Sequence, residues 1–186
     1  MHLHDQKSDW YNYCMAYLTK DDQQRIDTMI ENLRMKTGLS FPEGNLVELA
    51  KALGVEVFES KFIKHDNING FLEYPKKSTE SPKIFLNKER PAARKKFTLA
   101  HELGHYILHR DKKRKFRVDT VDYSIDDEET REETEANYFA ASLLVPEEKL
   151  RSILALSKGN LDVAAEYFGV SKPVIENRIK WIKANQ

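Results

Sequence analysis

Apolar residues recur at intervals of three and four along most of the chain, and this spacing predicts helices. The periodic stretches are residues 21–35, 46–53, 91–109, 128–145, 147–156, 161–168 and 172–182. Capping residues support several of the predicted helix ends. Asn45 and Asn160 directly precede the helices at residues 46–53 and 161–168, and Gly38 follows the helix at residues 21–35. The chain is therefore predicted to be mainly helical.

Three short segments carry β-branched and aromatic residues instead. They are residues 55–59, 70–74 and 83–87, separated by Asn, Gly, Pro and Ser. Because short connections favour antiparallel pairing, the predicted fold class is α+β, with a small three-stranded antiparallel sheet beside the helices. If residues 83–87 form an edge strand, an extended peptide could add to it through main-chain hydrogen bonds, although a capped edge without a ligand fits equally well.

Composition narrows the class of protein. The 186 residues suffice for one well-packed domain with small appendages, and 30 Lys+Arg balance 30 Asp+Glu, without the basic excess of a dedicated nucleic-acid binder. The single cysteine, Cys14, cannot form an internal disulfide or a multi-cysteine zinc site. The sequence has no signal-peptide pattern and no long apolar run, so we expect a cytoplasmic protein without a membrane partner.

Residues 101–105 read His-Glu-Leu-Gly-His within a predicted helix. The four-residue spacing places His101 and His105 on one helix face, where both imidazoles can reach a single metal ion. Glu102 flanks the ion without ligating it, and suits a general base that takes a proton from water. Gly104 costs about 1 kcal/mol relative to alanine in mid-helix, which indicates that another backbone approaches closely there. This pattern predicts a catalytic zinc site.

A third ligand must come from elsewhere, because a catalytic zinc takes three protein ligands and keeps one position open. The extended signature with a third histidine would need it at position 111, which is Asp111. A carboxylate on another helix is therefore expected. We prefer Glu133, which lies four residues before Asn137, so that the amide could orient an imidazole from the same face. Glu132 and Glu135 are the alternatives.

The oxyanion formed in peptide hydrolysis needs a hydrogen-bond donor besides the metal. Tyr106, Tyr123, Tyr138 and His109 are the candidates from the sequence. His109 lies one turn beyond the motif, and its main expected role is an interaction with the C-terminus of its helix.

Two segments resemble the ImmA/IrrE metallopeptidases: residues 97–109, which contain the histidine motif, and residues 133–146, which begin Glu-Thr-Glu-Ala-Asn. The resemblance extends to residues 46–57, 69–71 and 168–171, and spans about residues 40–182. It implies a zincin-like core in a cytoplasmic zinc endopeptidase of bacteria or their mobile elements, often directed at a helix-turn-helix repressor. It also implies that His101, His105 and a glutamate of the second segment bind the metal, with Glu102 as the base.

The predicted organisation has three parts. They are an N-terminal helical extension (residues 1–38), a zinc metallopeptidase domain (39–157) and a helix-turn-helix-like tail packed on the core (158–186). The expected function is site-specific cleavage of a partner protein, in particular a helix-turn-helix transcriptional repressor, in the regulation of a mobile element or a stress response. Residues 1–37 have no counterpart in the resemblance, and the loop at residues 110–127 is idiosyncratic.

An alternative function is a DNA-binding or adaptor regulator with a non-catalytic zinc site. The two helices of the tail meet at residues 169–171, as in DNA-reading motifs. Lys172, Arg178, Lys180 and Lys183 could then contact phosphates, although the same apolar pattern also suits a tail that covers the metal domain.

Overall fold

The computed structural model describes residues 18–62, 68–75, 77, 79–110 and 127–184. The helices in these ranges are α1 (Lys20–Thr37), α2 (Leu46–Ala52), α3 (Ala92–Leu108), α4 (Asp127–Leu144), α5 (Glu147–Leu156), α6 (Leu161–Phe168) and α7 (Lys172–Ala184). The strands are β1 (Glu56–Ser60), β2 (Gly70–Glu73) and β3 (Lys83–Asn87). The predicted α+β class is confirmed. None of the described helices combines the length and apolar character needed to span a bilayer.

Caps fix the helix limits as the sequence predicts. The Asn45 side chain accepts a hydrogen bond from the backbone N–H of Val47 at the start of α2. The Asn160 side chain does the same at the start of α6, where it accepts from Asp162. Gly38 ends α1 in the left-handed conformation, with φ of 69°, where a glycine has no Cβ to clash. These local signals therefore set where the chain turns.

The sheet is mixed, so the prediction of an all-antiparallel sheet was wrong. The strand order is β1-β3-β2, in which β2 and β3 are antiparallel but β1 and β3 are parallel. Each strand does run opposite to the one before it in the chain, so β1 and β3 run in the same direction. Because β3 lies between β1 and β2, it pairs in parallel with β1. The central position of β3 also rules out the addition of a peptide to its edge, which required β3 to be an edge strand, because both of its edges are already paired.

The centre of the fold is the packing of α3 against α4. Gly104 on α3 faces α4, and a Cβ at this position would lie 3.2 Å from the Cα of Ala136 and 3.1 Å from the Phe139 ring. The close approach predicted from this mid-helix glycine is therefore confirmed. It brings the histidine face of α3 to the acidic segment of α4.

The sheet packs against α3 through a second glycine, Gly70, at the start of β2. A Cβ at this position would lie 2.6 Å from the Thr98 methyl and 2.8 Å from the carbonyl oxygen of Phe85. Both distances are too short for real contacts, and the second neighbour is backbone. The glycine therefore sets how closely β2 approaches α3.

Replacing Gly70 with alanine is expected to lower the free energy of unfolding by about 1–2 kcal/mol, because the strand must shift to relieve the overlap. Urea denaturation would measure this as a lower midpoint at an unchanged m-value. An unchanged midpoint would contradict the close packing of β2 on α3.

Helix α1 packs on the core through buried Ile26 and Ile30, and contacts α4. The polar contacts between these helices join Asp22 to Arg131, Arg25 to Glu135 and Asp27 to Tyr138, each at 2.9 Å. Helix α1 thus lies against the core over several turns. The sequence before this helix is rich in aromatic residues between positions 10 and 17, which lie outside the described residues.

Asp22 also closes the capping box of α1, because its carboxylate accepts hydrogen bonds from the backbone and the hydroxyl of Thr19. Burial by itself raises the pKa of Asp22, but the hydrogen bonds from Thr19 and the charge of Arg131 outweigh it. The pKa of Asp22 therefore lies below its usual value. The ionised form stabilises the fold above about pH 4, and this contribution is lost as the pH falls through the folded-state pKa.

Replacing Asp22 with asparagine is expected to lower the free energy of unfolding by about 1 kcal/mol at pH 7, because charge-assisted hydrogen bonds are lost. The difference from the wild type should shrink at pH 3, below the unfolded-state pKa of about 3.9, where the contribution of the ionised carboxylate is already being lost. Urea denaturation of both proteins at the two pH values would measure this. An equal difference at both would show that the charge of Asp22 contributes nothing.

The C-terminal helices α6 and α7 lie on either side of residues 169–171, and α7 packs on α4. Arg178 is buried, and its Nε donates a hydrogen bond to the carbonyl of Val145 at 3.1 Å. Arg178 therefore does not suit the phosphate contact that the alternative of DNA binding would require of it, because its side chain is buried. Lys172 pairs with Asp162 at 3.0 Å on the surface.

Candidate metal centre

The two histidines of the motif lie on the most deeply enclosed part of α3. Every residue from 98 to 106 on this helix is buried. His101 keeps 5% and His105 2% of their exposed area. Because packed neighbours surround the helix on all sides, both imidazoles are held in fixed orientations.

Glu133 on α4 meets both histidines. The Nε2 atoms of His101 and His105 lie 3.0 Å apart. The Glu133 carboxylate places one oxygen 3.2 Å from Nε2 of His101 and the other 3.1 Å from Nε2 of His105. One potential ligand atom from each residue lies within 4.8 Å of the others. The structure thus brings together the three side chains that the sequence nominated as metal ligands.

The two alternative glutamates have other surroundings. Glu132 is buried and Glu135 bonds His109, and neither joins the cluster. In the described part of the chain, the cluster is the one group of three or more His, Cys, Asp or Glu side chains placed to share a metal ion. Of its members, Glu133 has the most exposed side chain, at 28%, so the cluster opens to solvent on that side.

Asn137 holds the first imidazole, as its spacing from Glu133 suggested. Its Oδ1 lies 3.0 Å from Nδ1 of His101. An amide oxygen only accepts hydrogen bonds, so Nδ1 of His101 carries the hydrogen and donates it. The electron pair of a neutral imidazole then lies on Nε2, the atom that faces His105 and Glu133.

His109 has a role that the sequence did not predict. It caps the end of α3, and its ring lies between His105, at 3.2 Å between the Nδ1 atoms, and Glu135, at 2.8 Å from its Nε2. The sequence did contain one indication of this contact, because His109 follows His105 at the same four-residue spacing that separates His105 from His101. Recognising its partner required knowing that Glu135 on α4 and Arg25 on α1 meet there.

Both glutamates of this region are held ionised. Burial by itself raises the pKa of Glu133, but the hydrogen bonds of His105 and His101, together with their charges when the imidazoles are protonated, outweigh it and hold the pKa well below its usual range. Burial also raises the pKa of Glu135, but the hydrogen bond from His109 and the charges of Arg25 and Arg131 outweigh it and leave that pKa lowered. Carboxylates that stay ionised are what cation binding requires.

Glu102 follows His101 on the same buried stretch of α3 and is 1% exposed. Three of the four candidate oxyanion donors are engaged elsewhere. The hydroxyl of Tyr106 donates to the carbonyl of Leu53, that of Tyr138 donates to Asp27, and His109 bonds Glu135. Tyr123 lies outside the described residues.

The donor set fits a divalent transition-metal ion. Two imidazole nitrogens and an ionised carboxylate converge on one point, which is the ligand combination of catalytic zinc sites. Three protein ligands would leave a coordination position open, and the partly exposed side chain of Glu133 shows that the cluster can be reached from solvent. A structural site would need a fourth protein ligand, and the cluster within the described residues has three.

A groove of about 640 Å³ adjoins the cluster, because Asn137, which holds His101, also lines it. Its walls come from α3, α4 and α7, and include the apolar side chains Phe97, Val174 and Trp181. Arg94 lies on the same wall as Phe97. The groove thus shares Asn137 with the surroundings of the cluster, although none of the three clustered side chains lines it.

Comparison with known proteins agrees with this geometry. Residues 50–180 match the Peptidase_M78 family model, described as an IrrE N-terminal-like domain. The chain is 30% identical over 120 residues to a protein of Bacillus phage phi105 described as "Uncharacterized immunity region protein 2", which covers 64% of this chain and 70% of that protein. It is also 30% identical over 115 residues to "Metallopeptidase ImmA" of Bacillus subtilis (strain 168), covering 61% and 64%. The resemblance is thus confirmed, and the chain belongs to this IrrE-like family of metallopeptidases.

Proposed function

We propose that the protein is a zinc-dependent endopeptidase that cleaves a partner protein at a specific site. The observation that supports this most is the convergence of His101, His105 and Glu133, next to a buried glutamate that follows the first histidine. Two imidazoles and one carboxylate with an open side fit a catalytic ion better than a structural one.

In this mechanism the three converging side chains hold the ion. Bound zinc supplies Lewis acidity toward a carbonyl oxygen and toward water. Glu102 takes a proton from the attacking water and delivers it to the leaving amine, so that one carboxylate serves both halves of the reaction. Asn137 keeps His101 in the tautomer whose Nε2 is the acceptor. The adjoining groove positions the substrate beside these groups.

The proposed substrate is a helix-turn-helix transcriptional repressor, cleaved in the regulation of a mobile element or a stress response. The family resemblance supports this, and one similar protein belongs to a phage and is described by its immunity region. We place the reaction in the cytoplasm, where the lone Cys14 stays reduced. The proposed catalytic unit is residues 39–157, with residues 1–38 and 158–186 as its extension and tail.

Metal content tests the ligand assignment. Purified wild-type protein loaded with zinc and then desalted should retain one ion per chain by mass spectrometry. Replacing Glu133 with glutamine should abolish this retention, because the anionic ligand is lost. The Glu132→Gln variant is the matched control, since it removes a buried carboxylate from the neighbouring position and should retain the ion. Equal retention by both variants would refute Glu133 as the third ligand.

Cleavage tests the activity. The wild type should be co-expressed with the repressor encoded beside its gene, and the repressor followed by intact-mass spectrometry. We expect a discrete new fragment whose ends define one cleavage site, and its formation by purified proteins should stop when a chelator is added. A repressor that stays intact with the zinc-loaded enzyme would exclude it as the substrate.

A further inference from the structure

A row of four side chains leads away from the metal-ligand cluster. His105 contacts His109 at 3.2 Å, His109 contacts Glu135 at 2.8 Å, and Glu135 contacts Arg25 at 2.9 Å. We call these residues the His105 relay. His105 lies on α3 and His109 at the end of that helix, whereas Glu135 lies on α4 and Arg25 on α1. The relay therefore links the first described helix, which precedes the residues matched by the family model, to a predicted metal ligand.

The chemistry of each group sets the direction of the hydrogen bonds. The Glu135 carboxylate, paired with Arg25, can only accept, so Nε2 of His109 donates to it. A neutral His109 then presents an electron pair at Nδ1, and the facing Nδ1 of His105 must donate. This leaves the electron pair of His105 on Nε2, the atom that faces His101 and Glu133.

We propose that His109 and Glu135 are positioning residues that fix the orientation and tautomer of His105, and that Arg25 anchors them from α1. The proposal rests on the proposed function, in which His105 is a metal ligand. It assigns α1 a role in the metal site itself, through one guanidinium and not through general packing.

Burial makes this assignment specific. The side chains of His109 and Glu135 are 6% and 7% exposed, so water does not compete for their hydrogen bond. Arg25 is 41% exposed, so its pairing with Glu135 is weaker and lies at the outer end. The two ligand histidines are also held differently: the Asn137 amide contacts His101 directly, whereas His105 is linked to the Glu135 carboxylate through His109. The carboxylate makes His109 a better hydrogen-bond acceptor, and His109 in turn makes the His105 imidazole a stronger ligand.

Zinc affinity tests the relay without relying on activity. Dissociation constants would be measured by competition with a chromogenic chelator, for wild type and variants checked by circular dichroism. His109→Phe and Glu135→Leu are expected to weaken zinc binding by roughly 10–100-fold, the usual effect of removing a partner of a ligand histidine. Glu135→Gln keeps an acceptor oxygen for His109 and should recover much of that loss. Arg25→Met should cost about fivefold at most.

Tyr138→Phe is the matched control for loss of contact between α1 and α4. It removes the hydrogen bond to Asp27 on the same pair of helices without touching the relay, and should leave zinc affinity at the wild-type value. The visible absorption spectrum of the cobalt-loaded protein gives a second readout. His109→Phe should shift its ligand-field bands because His105 reorients, whereas Tyr138→Phe should not.

The outcomes separate this proposal from the proposed function. A wild type that binds neither zinc nor cobalt would overturn both. A wild type that binds zinc, with His109→Phe or Glu135→Leu equally tight and spectrally unchanged, would overturn the relay alone. If His109→Phe does not fold, the comparison of Glu135→Leu with Glu135→Gln decides, and equal affinities would again overturn it. If Tyr138→Phe weakens zinc binding as much as Arg25→Met, then Arg25 acts through packing and its assigned role fails.

Discussion

Replacing Glu102 with glutamine is expected to slow peptide-bond cleavage by on the order of 10²–10⁴-fold and to leave the zinc content at one ion per chain. Glutamine has nearly the same shape, so it fits the enclosed position that Glu102 occupies at 1% exposure. It lacks a basic oxygen at neutral pH, and therefore cannot accept the proton of the attacking water. The effect should thus appear in the rate of cleavage and not in metal binding.

Initial rates of repressor fragment formation at saturating repressor would measure this loss, with metal content determined on the same samples. Glu148→Gln is a suitable control, because Glu148 is an exposed glutamate in the first turn of α5 and plays no part in the cluster. This variant should cleave at the wild-type rate. Full activity of Glu102→Gln would rule out Glu102 as the general base.

The same substitution separates the enzyme from the alternative of a non-catalytic adaptor. An adaptor would relieve repression by binding, so Glu102→Gln would still relieve it and no fragment would form with either protein. If the protein is a peptidase, the Glu102→Gln variant should lose both fragment formation and relief of repression. A reporter gene under the control of the repressor would record the second quantity beside the first.

Local patterns were sufficient to predict the elements of the fold and the three clustered side chains. The four-residue spacing of the histidines needs only a helix, and the glycine at position 104 signalled the partner helix before its identity was known. Glu133 could be preferred over its neighbours because it shares a face with Asn137. Each of these inferences depends on residues within about one turn of each other.

The errors arose where distant parts of the chain decide the outcome. Strand order is not a local property, so the insertion of β3 between β1 and β2 could not be read from connection lengths. The sequence around Arg178 suggests an exposed cation, but on α7 its side chain is buried and donates a hydrogen bond to the carbonyl of Val145. The contact of His109 with Glu135 was missed for the same reason, since it depends on how α3 and α4 pack.

Replacing Gly104 with valine is expected to disturb the site by separating these two helices. A Cβ alone would lie 3.1–3.3 Å from Phe139 and from the backbone of Ala136, and the two further methyl groups of valine have no room. The free energy of unfolding should fall by an amount near the upper end of about 1–3 kcal/mol. Since Glu133 lies on α4 and the histidines on α3, zinc affinity should fall with it.

Leu103→Ala distinguishes helix separation from loss of stability. Leu103 is fully buried beside Gly104, so its truncation should cost about 2–5 kcal/mol by leaving a cavity, without pushing α3 away from α4. Thermal denaturation and chelator competition on both variants would compare the two effects. We expect similar destabilisation but weaker zinc binding in Gly104→Val alone. If Leu103→Ala weakened zinc binding equally, affinity would follow overall stability, and the close approach at Gly104 would have no specific role in placing Glu133 against the histidines.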